Sequence, residues 1–430
     1  MNSSTLPDRS SIEGEQLSKL RVLFSELIPG NPFYSGKLQS PSHPPLEIST
    51  LDNFRKTVPF TTKQELIEDQ RQNPPYGSNL TYPLERYTRL SQTSATRGTP
   101  MKWLDTPESW QWMLESWEKI YRVSGITARD RLFFAFSFAP FLGFWTAFEA
   151  AARLGCLSIP GGGLSSAARL RLILDHEMTV LLCTPTYALR LAEVAGKERL
   201  DLSVGKIRRI IVAGEPGGSL PGVRKRIEAH WPGAVVVDHH GMTETGPVSY
   251  ACPARRDVLH IIESAYIAEV IAPDSAEKPA YGKRGELVLT SLGRTGSPLL
   301  RYRTGDLVET APELVCPCGS SELALLGGIL GRVDDMMIVR GVNLHPSAVE
   351  EVLHGFPGIE EFRVEVQSSL ALTEATIHIE TASQVRNPEE LARQIENALH
   401  TAFALRIPVK PVPHGSLPRS EMKANRWVRT

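Results

Sequence analysis

PLLRYRTGDLVE (298–309), CPCG (316–319) and GGILGRVDDMMIVRGVNLHP (327–346) fall within one stretch of 49 residues, from Pro298 to Pro346. They bring together an isolated acid, a two-cysteine knuckle, a doubled aspartate and a glycine-flanked arginine. The texture of the chain changes at this stretch. Upstream, after Gly246, strand follows strand (HIIESAYIAEVI, GELVLTS, LLRYRTGDLVE), which predicts a β-rich subdomain over about residues 247–330. Downstream of Arg332 come a strand (MMIVRG), a helix (PSAVEEVLHGF) and two strands (EFRVEV, ATIHIE). A helix (PEELARQIENALHTAF) and IPVKPV, read as the final strand, complete a small α+β unit.

Further upstream, apolar runs alternate with helical ones. LFFAFSF, MTVLLCT (178–184), IRRIIVAGEP (207–216) and AVVVDHHG (234–241) are the strands, with AFEAAARLG, TYALRLAEVAG and VRKRIEAHW between them. Runs that are apolar on both faces and separated by helices predict a mainly parallel sheet covered on both sides. The expected fold is therefore α/β: a large N-terminal domain (1–333) of parallel sheet flanked by helices, with the β-rich subdomain, and a small mobile α+β C-terminal domain (334–430). A helix begins at Pro107, with Thr106 to cap it. Its Trp110, Met113, Trp117, Ile120 and Tyr121 share a face that belongs to the core. Residues 1–90 read as short helices and Pro-rich connections without evident chemistry.

Bulk properties narrow the function. At 430 residues with a formal charge of −1, the chain carries no basic footprint for nucleic acid. Leu132–Phe148 is uncharged but short for a bilayer crossing, and Ser137, Pro140 and Gly143 interrupt it. It reads as a strand, a turn and a helix start, so no membrane association is expected. The N-terminus has no signal-peptide pattern. Five scattered cysteines suit a reducing compartment. A cytoplasmic protein, monomer or homodimer, is expected.

Neither a Walker loop nor GxGxxG follows a strand. SQTSATRGTP (91–100) offers hydroxyls and backbone N–H groups that can wrap a polyphosphate, with Arg97 adding charge. In DHHGMTETG (238–246), Glu244 stands at the carboxyl end of a strand, a suitable place to hold Mg²⁺ beside phosphates. Cys252, His260, Cys316 and Cys318 supply the donors of a closed, structural tetrahedral Zn²⁺ site, although its halves lie far apart in sequence.

Together these runs resemble the adenylate-forming (acyl-CoA synthetase-like) superfamily and, more narrowly, the phenylacetate–CoA ligase family. TSATRGTP resembles its phosphate loop, AGEP (213–216) and HGMTE (240–244) its adenine-side motifs, and YRTGD (302–306) its ribose motif. GRVDDMMIVRGVNLHPSAVE (331–350) resembles its hinge and thiol-side motif, and LPRSEMKANR (417–426) the segment with its catalytic lysine. The resemblance runs in order from about residue 90 to the C-terminus. Some relatives of this kind carry a zinc site at matching positions, which implies structural Zn²⁺ here.

The resemblance implies a two-step reaction, in which a carboxylic acid and ATP give an acyl-adenylate and a thiol then displaces AMP. Thr93, Ser94, Thr96, Arg97 and Gly98 would hold the phosphates, and Gly214, Glu215, Pro216, His240, Gly241 and Met242 the adenine side. Asp306 would bind the ribose, with Arg332 near ribose or phosphate. Glu244 would hold Mg²⁺, Thr243 would contact the α-phosphate, and Lys423 would serve adenylation. Asp334 would be the hinge that brings Arg340 and Gly341 to the thiol. Phe138, Phe141, Gly214 and His240 would line the acid pocket. That region, FFAFSFAPFLGFW, holds no carboxylate to meet an α-ammonium group, so an apolar, aryl or arylacetic acid is expected. The expected thiol is CoA, the alternative being a stand-alone adenylation enzyme that loads a carrier-protein pantetheine or an amine. Ala95, Arg97 and His240 depart from the family's Gly, Thr and Tyr; the first two leave a non-catalytic nucleotide-binding relative as a further alternative, while His240 reads as an ordinary stacking or packing imidazole.

Overall fold

The structure is a computed structural model that describes residues 6–38, 48–93, 100–138, 140–273, 275, 277–279, 282–335, 337–339, 342–368, 373–419 and 426–429. Its centre is a five-stranded, wholly parallel sheet. In spatial order the strands are Leu157–Pro160, Arg131–Phe134, Val180–Cys183, Arg209–Val212 and Val235–Asp238. Successive side chains point to opposite faces. Leu132, Phe134, Leu182, Ile211 and Val237 accordingly join one core with Trp110, Met113 and Trp117 of the helix Pro107–Val123. Phe133, Leu181, Cys183, Ile210 and Val236 join the other core, under the helices Ser166–Asp175, Pro185–Lys197 and Pro221–His230. The Thr106 side chain caps Pro107–Val123 by accepting from Ser109 N–H. Thr184 caps Pro185–Lys197 in the same way.

The β-rich part comprises two antiparallel sheets. One orders Tyr266–Ile271, Arg284–Ser291, Tyr302–Glu309 and Gly331–Arg332; the other orders Ser249–Ala251, Val258–Ile261 and Ala324–Leu326. The N-terminal helices cover the first of these, with Leu20, Leu27 and Phe54 packed on Ile267, Leu292 and Leu300. The C-terminal unit orders Val409–Val412, Thr373–Thr381, Ile359–Ser368 and Trp427–Arg429, with the helices Pro346–His354 and Pro388–Phe403 sharing its core. Among the described residues no helix is long and apolar enough to cross a membrane.

Two expectations need correction. The strand that opens LFFAFSF ends at Phe134, so the later part of that run is not strand; Phe136 and Phe138 lie beyond the last ladder pair in irregular chain. IPVKPV is also not the final strand. Trp427–Arg429 pairs in parallel with Ile359–Ser368, a long-range pairing that three residues of sequence do not announce.

Candidate active site

The carboxyl ends of the parallel strands open towards the β-rich sheets, the usual position for a ligand crevice in an open α/β sheet. Asp306 enters from Tyr302–Glu309, in register with Arg332 of the neighbouring strand. Its Oδ2 lies 2.9 Å from His240 Nε2 and its Oδ1 3.3 Å from Arg332 Nη1. Arg332 also donates to Thr304 O at 3.1 Å and pairs with Asp334 at 2.9 Å. Burial works against the Arg332 charge, but Asp306, Asp334 and Asp335 outweigh it and raise its pKa. Gly305 makes this packing possible. Its φ is +75°, a conformation glycine adopts freely, and a Cβ there would crowd the Arg332 guanidinium. His240 is held from behind, its N–H donating to Ser249 Oγ at 2.9 Å.

Glu244 is buried, and its carboxylate meets Lys63 Nζ at 3.2 Å. The phenol of Tyr302 also bonds to it, and burial followed by that carboxylate's charge holds Tyr302 far above the ordinary phenol range. The backbone here is pinned by Arg294, which donates to Thr243 O at 2.7 Å and Glu244 O at 2.8 Å. The same guanidinium grips Asp105 through two 2.6 Å bonds, with both side chains fully buried. Residues 243 and 244 are thus fixed before any ligand arrives.

Sequence reasoning missed Lys63 and Arg294. The Thr62–Glu65 capping box locates the start of the helix Lys63–Gln72. Nothing local, however, directs Lys63 at a residue 181 positions later.

The remaining expected residues divide into three groups. Thr93 pairs with Met101: its N–H donates to Met101 O at 2.9 Å and its Oγ1 accepts from Met101 N–H at 3.0 Å. Ser94, Thr96, Arg97, Gly98, Arg340, Gly341 and Lys423 lie outside the described residues. Of the residues expected on the adenine side, Gly214 takes φ +92°, and Pro216 is exposed in the same turn. Gly241 and Met242 pair with Gly246 and Pro247 in a short hairpin. Glu215 has a structural task, accepting Thr186 N–H at 2.7 Å at the start of Pro185–Lys197.

An aromatic cavity of about 490 Å³ is lined by Phe138, Trp145, Phe148, Pro160, Gly162 and Gly163. Phe136 and Phe138 stack at 4.5 Å, and Trp145 meets Phe138 edge-on at 4.7 Å. Of the four residues expected to line the acid pocket, Phe138 lines this cavity and Phe141, Gly214 and His240 do not. The volume and apolar lining suit a small organic ligand.

The cysteine–histidine set comes together. The donor atoms of Cys252, His260, Cys316 and Cys318 all lie within 4.8 Å of one another. Cys252 Sγ is 3.5 Å from Cys316 Sγ, and Cys318 Sγ is 3.4 Å from His260 Nε2. A tetrahedral zinc ion with ordinary Zn–S and Zn–N lengths requires about 3.8 Å and about 3.5 Å for such pairs. His260 Nδ1 faces Glu322 O at 3.2 Å, which leaves Nε2 free to ligate. Burial pushes the Cys318 thiol up to about 12, so a cation is what would hold it as thiolate. The donor set therefore fits a metal ion.

Comparison with known proteins places this geometry. Residues 93–293 match the family model of AMP-binding enzymes, and residues 341–429 match that of the AMP-binding enzyme C-terminal domain. A phenylacetate-coenzyme A ligase of Thermus thermophilus is 30% identical over 97% of this chain and 96% of its own. A 2-hydroxyisobutyryl-CoA ligase in its postadenylation state, bound to an acyl-adenylate, superposes with TM-score 0.92 at 27% identity, covering 98% of this chain and 90% of that one. The same ligase with adenylate and CoA in its thioesterification state gives 0.70 at 28% identity, covering 99% and 91%. Fold and site thus define an adenylate-forming enzyme of the AMP-binding class. Within that class, the chain belongs to the phenylacetate–CoA ligase family.

Proposed function

We propose that the protein joins an apolar, aryl or arylacetic acid to CoA at the expense of ATP. A carboxylate oxygen attacks the α-phosphorus and expels pyrophosphate; the CoA sulfur then attacks the acyl carbonyl and AMP leaves. The observation that carries this reading is the Asp306–His240–Arg332 cluster, set at the strand ends beside a Glu244 whose backbone is locked by Arg294. Asp306 is an acceptor for ribose hydroxyls, and its negative charge is balanced by Arg332. Preorganised charge of this kind lowers a barrier because it needs no rearrangement at the moment of reaction.

Glu244 is a buried carboxylate next to a cationic side chain, a fitting place for a phosphate-bound Mg²⁺, which would offset the charge of the departing pyrophosphate. Lys423 supplies positive charge to the acid and the α-phosphate during adenylation. Residues 334–430 act as the lid, hinged at Asp334, with Arg340 and Gly341 on the thiol side. The cysteine–histidine set holds a structural zinc. The aromatic cavity around Phe138 accepts the acid, and the absence of a carboxylate from residues 131–148 disfavours amino acids. Five free thiols fit a cytoplasmic protein.

The test is pyrophosphate release from Mg·ATP over aryl, arylacetic and aliphatic acids, with and without CoA. Release that turns over repeatedly only with CoA supports the ligase. CoA-indifferent release transfers the second step to a carrier protein or amine. Absence of release from folded protein that still binds ATP overturns the catalytic reading and leaves a nucleotide-binding relative.

A further inference from the structure

The helix Pro221–His230 starts badly. Its N-cap is Leu220, which makes no side-chain capping bond, although the first N–H groups of a helix need acceptors. One acceptor comes from the C-terminal unit: Glu351 Oε1 takes Gly222 N–H at 3.1 Å. The approach is close, since a Cβ on Gly222 would meet both Glu351 Oε1 and the His354 backbone carbon at 3.4 Å. One turn later, Arg226 reaches the same partner. Its Nη1 lies 2.8 Å from His354 Nδ1, and its Nη2 donates to Ile359 O at 3.0 Å.

Both of these Arg226 bonds go to uncharged acceptors in the C-terminal unit, and among the described residues no carboxylate lies within ion-pair distance of it. Burial and the neighbouring Arg426, only partly offset by the more distant Glu361 carboxylate, bring its pKa down to about 10. Because the guanidinium can only donate, His354 Nδ1 must accept, and the imidazole is neutral. Its burial beside Arg226 and Arg426 is consistent with this, holding its pKa well below the ordinary value. A desolvated cation held by neutral acceptors regains its hydration on release. Its grip is therefore firm in geometry and modest in net free energy, as a reversible contact requires.

We propose that Arg226, assisted by Glu351, is a positioning residue that latches residues 334–430 in the arrangement that makes the acyl-adenylate, and that its release accompanies the change to thiol transfer. The proposal rests on the two-step reaction proposed above. The present arrangement superposes on the postadenylation state of the 2-hydroxyisobutyryl-CoA ligase with TM-score 0.92 and on its thioesterification state with 0.70. The Arg226 and Glu351 contacts belong to an arrangement of the first kind.

The experiment separates the half-reactions. Phenylacetyl-adenylate formation from phenylacetate and Mg·ATP is followed in a single turnover. CoA thiolysis of supplied phenylacetyl-adenylate is followed separately. Arg226→Met is expected to slow the first on the order of tenfold, the effect of losing two hydrogen bonds of modest net free energy, and to leave the second equal or faster. Glu351→Gln shifts the same way by less, and Arg226→Lys lies between. Equal slowing of both half-reactions, or unchanged adenylation in folded Arg226→Met, overturns the latch. A readout without turnover is the distance between spin labels at Ala229→Cys and Glu389→Cys, two exposed positions. Arg226→Met is expected to broaden that distribution, and an unchanged distribution overturns the latch. If the unsubstituted enzyme makes no adenylate from phenylacetate, the substrate reading fails and the distance measurement alone decides.

Discussion

Lys63 and Arg294 stabilise the same loop by opposite physics, and their substitutions should differ accordingly. Lys63 is half-exposed, and an ion pair of that kind contributes little to stability. Beside bound phosphates, the same charge should matter. Lys63→Met is expected to raise the KM for Mg·ATP and to slow pyrophosphate release by roughly tenfold to a hundredfold, the range for one charged hydrogen bond. Its thermal midpoint should stay within a few degrees of the parent's. A matching loss of stability in a melting curve would make Lys63 a brace and not a ligand group. Arg294 and Asp105 are fully buried as a bidentate pair. Arg294→Met leaves an uncompensated carboxylate and two carbonyls without their donor, and should cost about 3–5 kcal/mol in urea denaturation. Neither side chain was legible in the sequence. Arg294 finds Asp105 across 189 positions, and a residue's chemical type says nothing about contacts at that range. Asp306, Glu244 and His240 were singled out because each sits in a short motif beside or within a strand, Asp306 inside Tyr302–Glu309.

At the scale of elements, the parallel strands were legible because a strand buried on both faces is apolar at every position, as Val180–Cys183 is. The helix Pro107–Val123 announced itself through its Thr106 cap and its aromatic stripe. The strand read over LFFAFSF ran too long because the apolar run persists past Phe134, where the ladder stops. The cysteine–histidine set shows another limit: its donor types were readable from the residues, while its proximity was expected only through the family resemblance, since the halves lie on different strands and turns. The cluster is wired into the core through Glu322. That residue's O accepts from His260, while its carboxylate takes Lys119 at 2.7 Å and Tyr250 at 2.7 Å. The same small sheet begins at Ser249, which holds both His239 and His240. Cys316→Ser is therefore expected to remove bound zinc, measured by elemental analysis. It should also lower the melting temperature and weaken ATP binding secondarily. Metal-free protein that melts like the parent would reduce the cluster to packed thiols.

Across the whole molecule, burial disfavours the charged form of several ionisable groups, with a consequence for pH. His239 lies in the core, 4.4 Å from the Trp117 ring, and burial brings its pKa down to about 3. Burial also lowers His230 and His354. A histidine depressed on folding contributes stability that is fully present above its unfolded value. That stability is lost as the pH falls below about 6.5, because the unfolded chain then takes up a proton that the native state refuses. For His239 alone, the fall between pH 7 and pH 5 is on the order of 2 kcal/mol by linkage. Burial raises Asp238, Glu350 and Glu351, and these act with the opposite sign: they hold protons the unfolded chain has released, so they contribute stability at acid pH and lose it as the pH rises. The net slope mixes both sets, so the decisive quantity is a difference between variants. Urea denaturation of the parent and of His239→Gln at pH 7 and pH 5 should show the parent losing about 2 kcal/mol more than the variant across that interval. Parallel losses would mean that His239 takes up its proton within the folded protein, and that the core around Trp117 admits water.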